Sequence, residues 1–326
     1  MGRIRHGDYD AHRVLAKPHR EGGDEGSDAD VSGIVLVTGG AGSVGRMLVE
    51  MLAADGQGVR IFDLPFMDFS GLEDRDGIEI VKGDITDEAQ VADAIYTDDD
   101  GGVSSVVHLA ALLPPNSERD RDRTFGVNVG GTENIIKAME ANAPDATLIF
   151  TSSISTYGNT MDEEPPVRVE HAQSAIDIYA DSKIVGERMV RESSLNWIAM
   201  RIAGIMVPAF MEPPSPWPFV AEQRVEMVHR DDVVDALFAS VNAPDAANKV
   251  LNIAGGPTWQ MRGEDYARDF YGFMGAPFED VDYRESPGWV DWYDTEESQR
   301  LLSYQNRSYQ HYSDEMHAII EAMMAE

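Results

Sequence analysis

The sequence contains no cysteine in 326 residues. This absence excludes disulfides, thiolate nucleophiles and cysteine-ligated metals, and we expect no metal site of any other kind. Any redox chemistry therefore needs a bound cofactor.

Positive charge is scarce as well. The chain has 26 basic residues against 58 acidic ones, a formal net charge of −32, and only five of the basic residues are lysines. Such a surface repels nucleic acid and anionic lipid, so we expect neither as a partner and expect a small-molecule substrate instead. One hypothesis is adaptation to high salt, where screening removes the self-repulsion of an acidic surface.

Long apolar runs are also missing. No run reaches the roughly 18 residues that would span a bilayer. The N-terminus lacks the continuous apolar core of a secretory signal, since Arg3, Arg5, Asp8 and Asp10 interrupt it. We expect a soluble, cytoplasmic protein in which residues 1–32, which are low in hydrophobicity, form a disordered tail.

Short apolar runs, by contrast, alternate with helical patterns from residue 34 onward. Continuous apolar strands separated by amphipathic helices indicate a parallel sheet covered on both faces. The predicted fold class is α/β, a doubly wound (Rossmann) sheet. The runs are IVLVT, VRIF, IEIV, SSVVHL and TLIF, and the helical patterns cover 43–54, 87–96 and 117–141.

The first strand leads into TGGAGSVGRMLVE, with Gly39, Gly42 and Gly45 at Thr-Gly-x-x-Gly-x-x-Gly spacing. Glycines there allow a tight turn in which backbone N–H groups approach a pyrophosphate at the positive end of the next helix. Asp63 ends the second strand, where a carboxylate binds both ribose hydroxyls and repels a 2′-phosphate, which favours NAD over NADP. Arg46 is the alternative, since it could attract a 2′-phosphate.

These motifs and several that follow make the sequence resemble the extended short-chain dehydrogenase/reductase family, in its NAD-dependent epimerase/dehydratase group. The further motifs, in family order, are GDI at 83–85, HLAA at 108–111, NVGGT, TSSISTYG at 151–158, YADSK at 179–183, RIAGIMVP and VHRDDVVDAL. The likeness runs from about residue 34 to about 255. It implies that NAD contacts the three turn glycines and Asp63, together with Ser43, Val44, Asp84, Ile85, Leu109, Ala110, Ala111, Asn128, Tyr179 and Lys183.

The resemblance also implies a catalytic set of Ser153, Tyr179 and Lys183. Tyr179 and Lys183 are four residues apart, so on a helix they share a face. Hydride transfer at an alcohol carbon requires a proton acceptor for the oxygen, and a phenol serves only if its pKa falls from about 10. We expect the Lys183 ammonium to lower the pKa of Tyr179 and to bind the nicotinamide ribose. Ser153 would hydrogen-bond the reacting oxygen.

The reaction itself stays open. Dehydration is set aside, because Ser153 is followed by Ile154 and Ser155 rather than by the Asp-Glu of the family's dehydratases. A sugar or sugar-nucleotide epimerase is the first reading. A simple dehydrogenase or reductase of a smaller carbonyl compound is the alternative, because Gly204 and Met206 replace the family's diphosphate-binding Asn and the Tyr after it. A non-catalytic dinucleotide sensor is a third reading.

The predicted domains are a Rossmann domain at 33–205 and a smaller C-terminal substrate-binding region at 206–326, with some chain returning to the sheet near 226–254. Asp232 is expected to cap a helix, and His229 is not expected to be catalytic. The resemblance implies a homodimer.

Overall fold

The computed structural model describes residues 33–97 and 102–325. The predicted disordered tail, residues 1–32, lies outside the described residues. Strands follow the chain in this order: β1 Ile34–Thr38, β2 Gly58–Asp63, β3 Ile78–Lys82, β4 Val103–His108, β5 Thr147–Ser153, β6 Asn196–Ile202, β7 Gly204–Met206, β8 Arg224–Val225, β9 Met227–His229, β10 Lys249–Ile253 and β11 Met261–Arg262.

Seven of these strands form one parallel sheet in the order β10-β6-β5-β4-β1-β2-β3. β1 lies between β2 and β4, in register Val37 to Ile61 on one side and Val37 to Val107 on the other. The direction of chain progression reverses between β1 and β4, and ligands of doubly wound sheets bind beyond the carboxyl ends of the strands at that point.

The α-helices lie along both faces of the sheet and in the C-terminal part. They are α1 Ser43–Ala54, α2 Glu88–Ile95, α3 Arg121–Phe125, α4 Gly131–Asn142, α5 Ile178–Glu192, α6 Arg230–Val241, α7 Gly263–Met274, α8 Glu296–Leu302 and α9 Tyr309–Ala325. α1 and α6 pack together over one face, and α2, α4 and α5 cover the other. The doubly wound fold predicted from the sequence is therefore confirmed.

The helical pattern at 117–141 does not form one regular helix. A short 3₁₀ turn precedes α3, and a π-helical turn, Gly126–Gly130, joins α3 to α4. The restart at α3 has a local cause, because the Asp120 carboxylate accepts a hydrogen bond from Arg123 N at 3.0 Å and begins a new helix. The π-helical turn contains Asn128, and such turns often occur at functional sites.

The C-terminal part has an aromatic core of its own. Trp217, Phe219 and Trp259 pack against α7 and α9 through rings such as Tyr266 and Tyr312. β10 joins the main sheet beside β6, within the predicted return segment. The predicted domain boundary at residue 206 stays a prediction. None of the helices in the described ranges is long and apolar enough to cross a membrane.

The expectation that Asp232 caps α6 is wrong. His229 is the cap, since its Nδ1 accepts a hydrogen bond from Asp231 N at 3.1 Å. Asp232 is fully buried and instead accepts a hydrogen bond from the Arg307 guanidinium at 2.6 Å. The buried carboxylate therefore joins α6 to the segment before α9.

Candidate active site

A cleft of about 370 Å³ opens where β1, β4 and β5 end. Its polar lining is concentrated on the β5 and α5 side, where Ser153, Tyr179 and Lys183 meet. The rest of the wall is mainly apolar and comprises Val44, Leu109, Ala111, Leu113, Pro114, Ile202, Ala203, Gly204, Ile205, Val233, Leu237 and Trp289. The structure therefore brings the three predicted catalytic side chains to one place.

The glycine turn between β1 and α1 leaves no room for side chains. Gly39 has φ +72°, and a Cβ on Gly45 would lie 2.3 Å from the Gly39 carbonyl oxygen. α1 starts after Gly42 without a side-chain cap, so its first N–H groups have no side-chain acceptor. This tight turn and the uncapped helix end fit a pyrophosphate, with Ser43 and Val44 in the first turn of α1.

Asp63 lies at the end of β2, beside the glycine turn. One of its carboxylate oxygens accepts a hydrogen bond from Ala41 N at 3.0 Å, and the other accepts one from Leu64 N at 2.8 Å. Each carboxylate oxygen can accept one more hydrogen bond, for example from a ribose hydroxyl. Arg46 is engaged elsewhere, because its guanidinium donates to the carbonyl oxygens of Asp68 and, at 2.8 Å, of Ser70. The structure therefore supports the preference for NAD.

Asp84 and Ile85, which the resemblance implies contact NAD, lie just after β3. The Asp84 carboxylate accepts hydrogen bonds from the N–H and the hydroxyl of Thr86, at 2.9 and 2.8 Å. Ile85 is buried and faces Gly131, where a Cβ would come within 2.8 Å of it. Ile85 thus contributes an apolar surface, while Asp84 shapes the turn.

The loop after β4 lies against the glycine turn. Leu109 and Ala111 line the cleft, whereas Ala110 packs into the core and donates its N–H to Thr38 Oγ1 at 3.2 Å. A Cβ on Gly39 would come within 3.0 Å of Ala110 N. The loop and the turn are therefore in close contact.

Asn128, predicted to contact NAD, is buried in the π-helical turn and does not line the cleft. Its amide accepts a hydrogen bond from Leu112 N at 2.7 Å, donates to Leu112 O at 3.1 Å and donates to Ser182 Oγ at 2.9 Å. Ser182 in turn donates to the Tyr179 carbonyl oxygen at 2.7 Å. Asn128 thus ties the loop after β4 to the first turn of α5, which carries Tyr179.

His108 connects elements of the same region through buried hydrogen bonds. Its ring nitrogens lie 2.7 Å from Thr38 Oγ1 and 3.1 Å from Thr132 Oγ1. Burial and the positive charge of Lys183 lower the pKa of His108 to about 3, so the ring is neutral. The sequence motif HLAA indicated a cofactor wall but not this buried link between β1, β4 and α4.

The first turn of α5 is fixed by two carboxylates. Asp177 caps the helix by accepting a hydrogen bond from Ala180 N at 2.7 Å. Glu118, distant in sequence, accepts hydrogen bonds from Ile178 N and Tyr179 N, each at 3.0 Å. Carboxylates at a helix N-terminus are favourable, and these two hold the Tyr179 backbone in place. Nothing local in the sequence pointed to Glu118.

Lys183 is buried one turn after Tyr179. Its Nζ donates to the Thr151 carbonyl oxygen at 2.8 Å and lies 5.8 Å from the centre of the Tyr179 ring. Burial lowers the pKa of Lys183 from 10.5 to about 8. At neutral pH the lysine is mainly protonated, and the cleft therefore contains a buried positive charge beside the phenol.

The structure contradicts the expected fall in the pKa of Tyr179. Burial raises the pKa of the phenol well above its usual value, and the negative charge of Asp177 raises it further. A hydrogen bond with Ser153 opposes this rise but does not overcome it. Removing the phenol from water thus outweighs the effect of its polar neighbours on the pKa of Tyr179.

The two adjacent serines have different roles. Ser152 Oγ donates to the buried Glu187 carboxylate at 2.7 Å, and Glu187 also pairs with Arg201 at 2.6 Å. Ser152 therefore supports the core beneath the cleft. Ser153 Oγ faces Ser155 and Tyr179, as expected for the residue that contacts a substrate oxygen.

Comparisons with known proteins agree with this geometry. The family model of the NAD dependent epimerase/dehydratase family matches residues 35–213. Among curated proteins, a 3 beta-hydroxysteroid dehydrogenase/Delta 5→4-isomerase of Mycobacterium tuberculosis is 36% identical over 169 residues, which are 48% of this chain and 42% of that protein. D-erythronate dehydrogenase of Cupriavidus necator is 31% identical over 169 residues, 49% of this chain and 50% of that protein. The chain thus spans about half the length of these relatives.

Solved structures show the same fold over most of the chain. UDP-glucose 4-epimerase of Thermotoga maritima has a TM-score of 0.74 at 20% identity, covering 89% of this chain and 99% of that one. A short-chain dehydrogenase/reductase superfamily protein of Agrobacterium tumefaciens with bound NAD has a TM-score of 0.71 at 23% identity, covering 90% and 98%. At these identities the likeness concerns the fold, and the family recognised from the sequence motifs is confirmed by the family model.

Proposed function

Since the chain belongs to the NAD-dependent epimerase/dehydratase family, we propose that it is an NAD-dependent dehydrogenase or reductase of a secondary alcohol or its ketone, with a substrate whose body is largely apolar. The observation that carries the proposal is the cleft, in which Ser153, Tyr179 and Lys183 meet at the end of an otherwise apolar wall next to the glycine turn. The predicted cofactor, NAD, agrees with the family and with the position of Asp63.

The residues of the cleft divide the chemistry between them. When bound, NAD supplies the acceptor for the hydride that leaves the carbinol carbon. Tyr179, as the phenolate, takes the proton of the substrate hydroxyl, and Ser153 donates a hydrogen bond to the same oxygen. The Lys183 ammonium stabilises the phenolate by its charge. In the reductive direction the same groups act in reverse, and Tyr179 returns its proton to the new alkoxide oxygen.

An apolar substrate is favoured by what the cleft wall offers. Among the described residues that line the cleft, Lys183 alone is basic, and it donates to the Thr151 carbonyl oxygen. Away from the glycine turn, a second diphosphate would have to be bound by side chains, and arginine and lysine are the usual ones. Two arginines of the C-terminal half are already paired in the core, Arg201 with Glu187 and Arg224 with Asp291. Leu113 and Ile205 continue the apolar wall to the opening of the cleft, where their side chains are 55% and 37% exposed.

A sugar-nucleotide epimerase is the second candidate, and one observation favours it. Burial raises the pKa of Asp177, at the cleft wall, and the half-buried Arg284 is close enough to that carboxyl to oppose the rise. A guanidinium there could contact a phosphate. The two reactions differ in their products, because an epimerase interconverts isomers without net NADH, whereas a dehydrogenase accumulates it.

The test is a panel of secondary alcohols of increasing apolar size, together with UDP-sugars, followed at 340 nm with NAD and with NADP. We expect NADH to accumulate with bulky apolar alcohols, and NAD to be preferred. Isomer exchange of a UDP-sugar without net NADH would favour the epimerase, and no turnover of any kind despite NAD binding would favour a sensor.

A pair of variants tests the apolar wall. Leu113→Ser should lower kcat/KM for the bulky alcohols about tenfold and leave small ones nearly unchanged, since about 1.4 kcal/mol of apolar contact is lost. Phe66→Ser is the matched control, because Phe66 is 78% exposed and does not line the cleft. Equal effects of the two variants, or equal losses for small and bulky alcohols, would contradict an apolar substrate.

The homodimer and the cytoplasmic location implied earlier remain proposals. Light scattering of the purified chain decides the first, with a mass of about twice 35.9 kDa expected.

A further inference from the structure

The Ser153 hydroxyl accepts two hydrogen bonds from a single neighbour. Ser155 N donates to it at 3.1 Å, and Ser155 Oγ donates to it at 2.9 Å. Both serines line the cleft, and both are buried, Ser155 more deeply. Ser155 therefore contacts the predicted catalytic serine with a backbone group and a side-chain group at once.

Ser155 has little freedom to move away. It lies in the 3₁₀ turn Ile154–Tyr157, which Ser153 caps. The turn is closed by Thr156 Oγ1, which donates to the Ser153 carbonyl oxygen at 2.7 Å. The side chain of Ser155 is thus held on the Ser153 hydroxyl by the backbone geometry of the turn.

A serine hydroxyl has one proton to donate and two lone pairs that accept. In Ser153 both lone pairs are used by Ser155, so its proton is left for donation, and its other hydrogen-bond partner in the cleft is the Tyr179 side chain. A hydrogen bond that Ser153 donates to the Tyr179 oxygen favours the phenolate and opposes the rise that burial causes in the pKa of Tyr179. Without the Ser155 hydroxyl, Ser153 could instead accept the proton of the phenol, and the neutral phenol would be favoured.

We propose that Ser155 is a positioning residue, which fixes the Ser153 hydroxyl as a hydrogen-bond donor toward Tyr179 and toward the substrate oxygen. Its role in catalysis rests on the proposed function, whereas its effect on the two hydroxyls is a property of the protein alone. The two can therefore be tested separately.

The first test needs neither cofactor nor substrate. The ¹³Cζ resonance of Tyr179, assigned by its loss in Tyr179→Phe, reports hydrogen bonding of the phenol in protein labelled at that carbon. We expect Ser155→Ala to shift this resonance and Ser155→Thr, which keeps the hydroxyl, to restore it. Thr156→Val is the control, because it removes a neighbouring buried hydroxyl that bonds the Ser153 carbonyl and not its hydroxyl. An unmoved resonance in Ser155→Ala, or an equal shift in Thr156→Val, would overturn the proposal.

The second test uses the alcohol that the wild-type enzyme oxidises best. We expect Ser155→Ala to lower kcat about tenfold, with KM nearly unchanged and the pH–rate profile displaced to higher pH, since a bond to a developing charge is weakened. Ser155→Thr should recover most of the rate. A loss of kcat that Thr156→Val reproduces without displacing the profile would show a merely structural effect. If the wild type oxidises no alcohol, the proposed function fails, while the resonance still decides the role of Ser155.

Discussion

Lys183 affects both the stability of the fold and the proposed catalysis, and the Lys183→Met variant tests both effects. A fall of its pKa from 10.5 to about 8 means that the buried ammonium costs the folded state about 3 kcal/mol at neutral pH. The unfolded chain binds the proton more tightly, so this cost is present below about pH 8 and disappears as the pH rises toward 10.5. The methionine variant has no such group and should lack this dependence.

The magnitude can be worked out for a practical pH range. Between pH 7 and pH 10, the stability of the cofactor-free wild type should rise by about 2.5 kcal/mol relative to Lys183→Met. Urea unfolding of both proteins at each pH gives the difference directly. The variant should also lose NADH formation, because the phenolate loses its cationic neighbour.

Lys249→Met is the matched control. Lys249 is 37% exposed and pairs with Glu297 at the surface, so its removal should cost less than about 1 kcal/mol and leave the pH dependence of the wild type in place. A difference between wild type and Lys183→Met that stays constant from pH 7 to pH 10 would refute the account of a desolvated lysine.

Three further variants test the surroundings of the site. Asp177→Asn keeps the helix cap but removes the charge that raises the pKa of Tyr179, so the pH–rate profile should move to lower pH. Arg201→Met strands the fully buried Glu187 carboxylate and should cost about 3–5 kcal/mol in urea unfolding, against under about 1 for the exposed Arg191→Met. Gly45→Ala places a methyl 2.3 Å from a backbone oxygen of the turn and should weaken NAD binding at least about tenfold by calorimetry, whereas Gly126→Ala, with open space at that position, should not. An unchanged pH–rate profile in Asp177→Asn would contradict the first expectation. Equal losses of stability in Arg201→Met and Arg191→Met would contradict the second, and equal NAD affinities of Gly45→Ala and Gly126→Ala the third.

The features that the sequence predicted well are those set by local spacing. The apolar run at 34–38 became β1 because a continuous apolar segment between helices suits a strand buried on both faces. The glycine turn followed from its position between that strand and α1. Tyr179 and Lys183 came together because residues four apart share a helix face.

The features it did not predict depend on contacts between distant segments. Glu118 reaches Tyr179 N from 61 residues away, and His108 joins strands and a helix that are far apart in the chain. The helical pattern at 117–141 did not reveal the π-helical turn that carries Asn128. A periodicity shows which side of a helix is apolar, and it does not show where a hydrogen bond from another element ends or distorts that helix.

The direction of the pKa shifts in the cleft was the other property that the sequence did not predict. The spacing of Tyr179 and Lys183 predicted a lowered phenol pKa, whereas burial in the assembled cleft raises it. The depth of burial decides the direction, and burial is a property of the assembled cleft. It also lowers the pKa of Lys183.

The central claim is that Tyr179 takes the proton of the substrate hydroxyl while NAD accepts the hydride from the carbon that bears it, and Tyr179→Phe tests this claim most directly. The variant and the wild type are compared by calorimetry with NAD and by NADH formation with the best alcohol of the panel. We predict affinities for NAD within about threefold of each other and a turnover at least about a hundredfold lower in the variant. Turnover by the variant at nearly the wild-type rate, with NAD still bound, would contradict the claim.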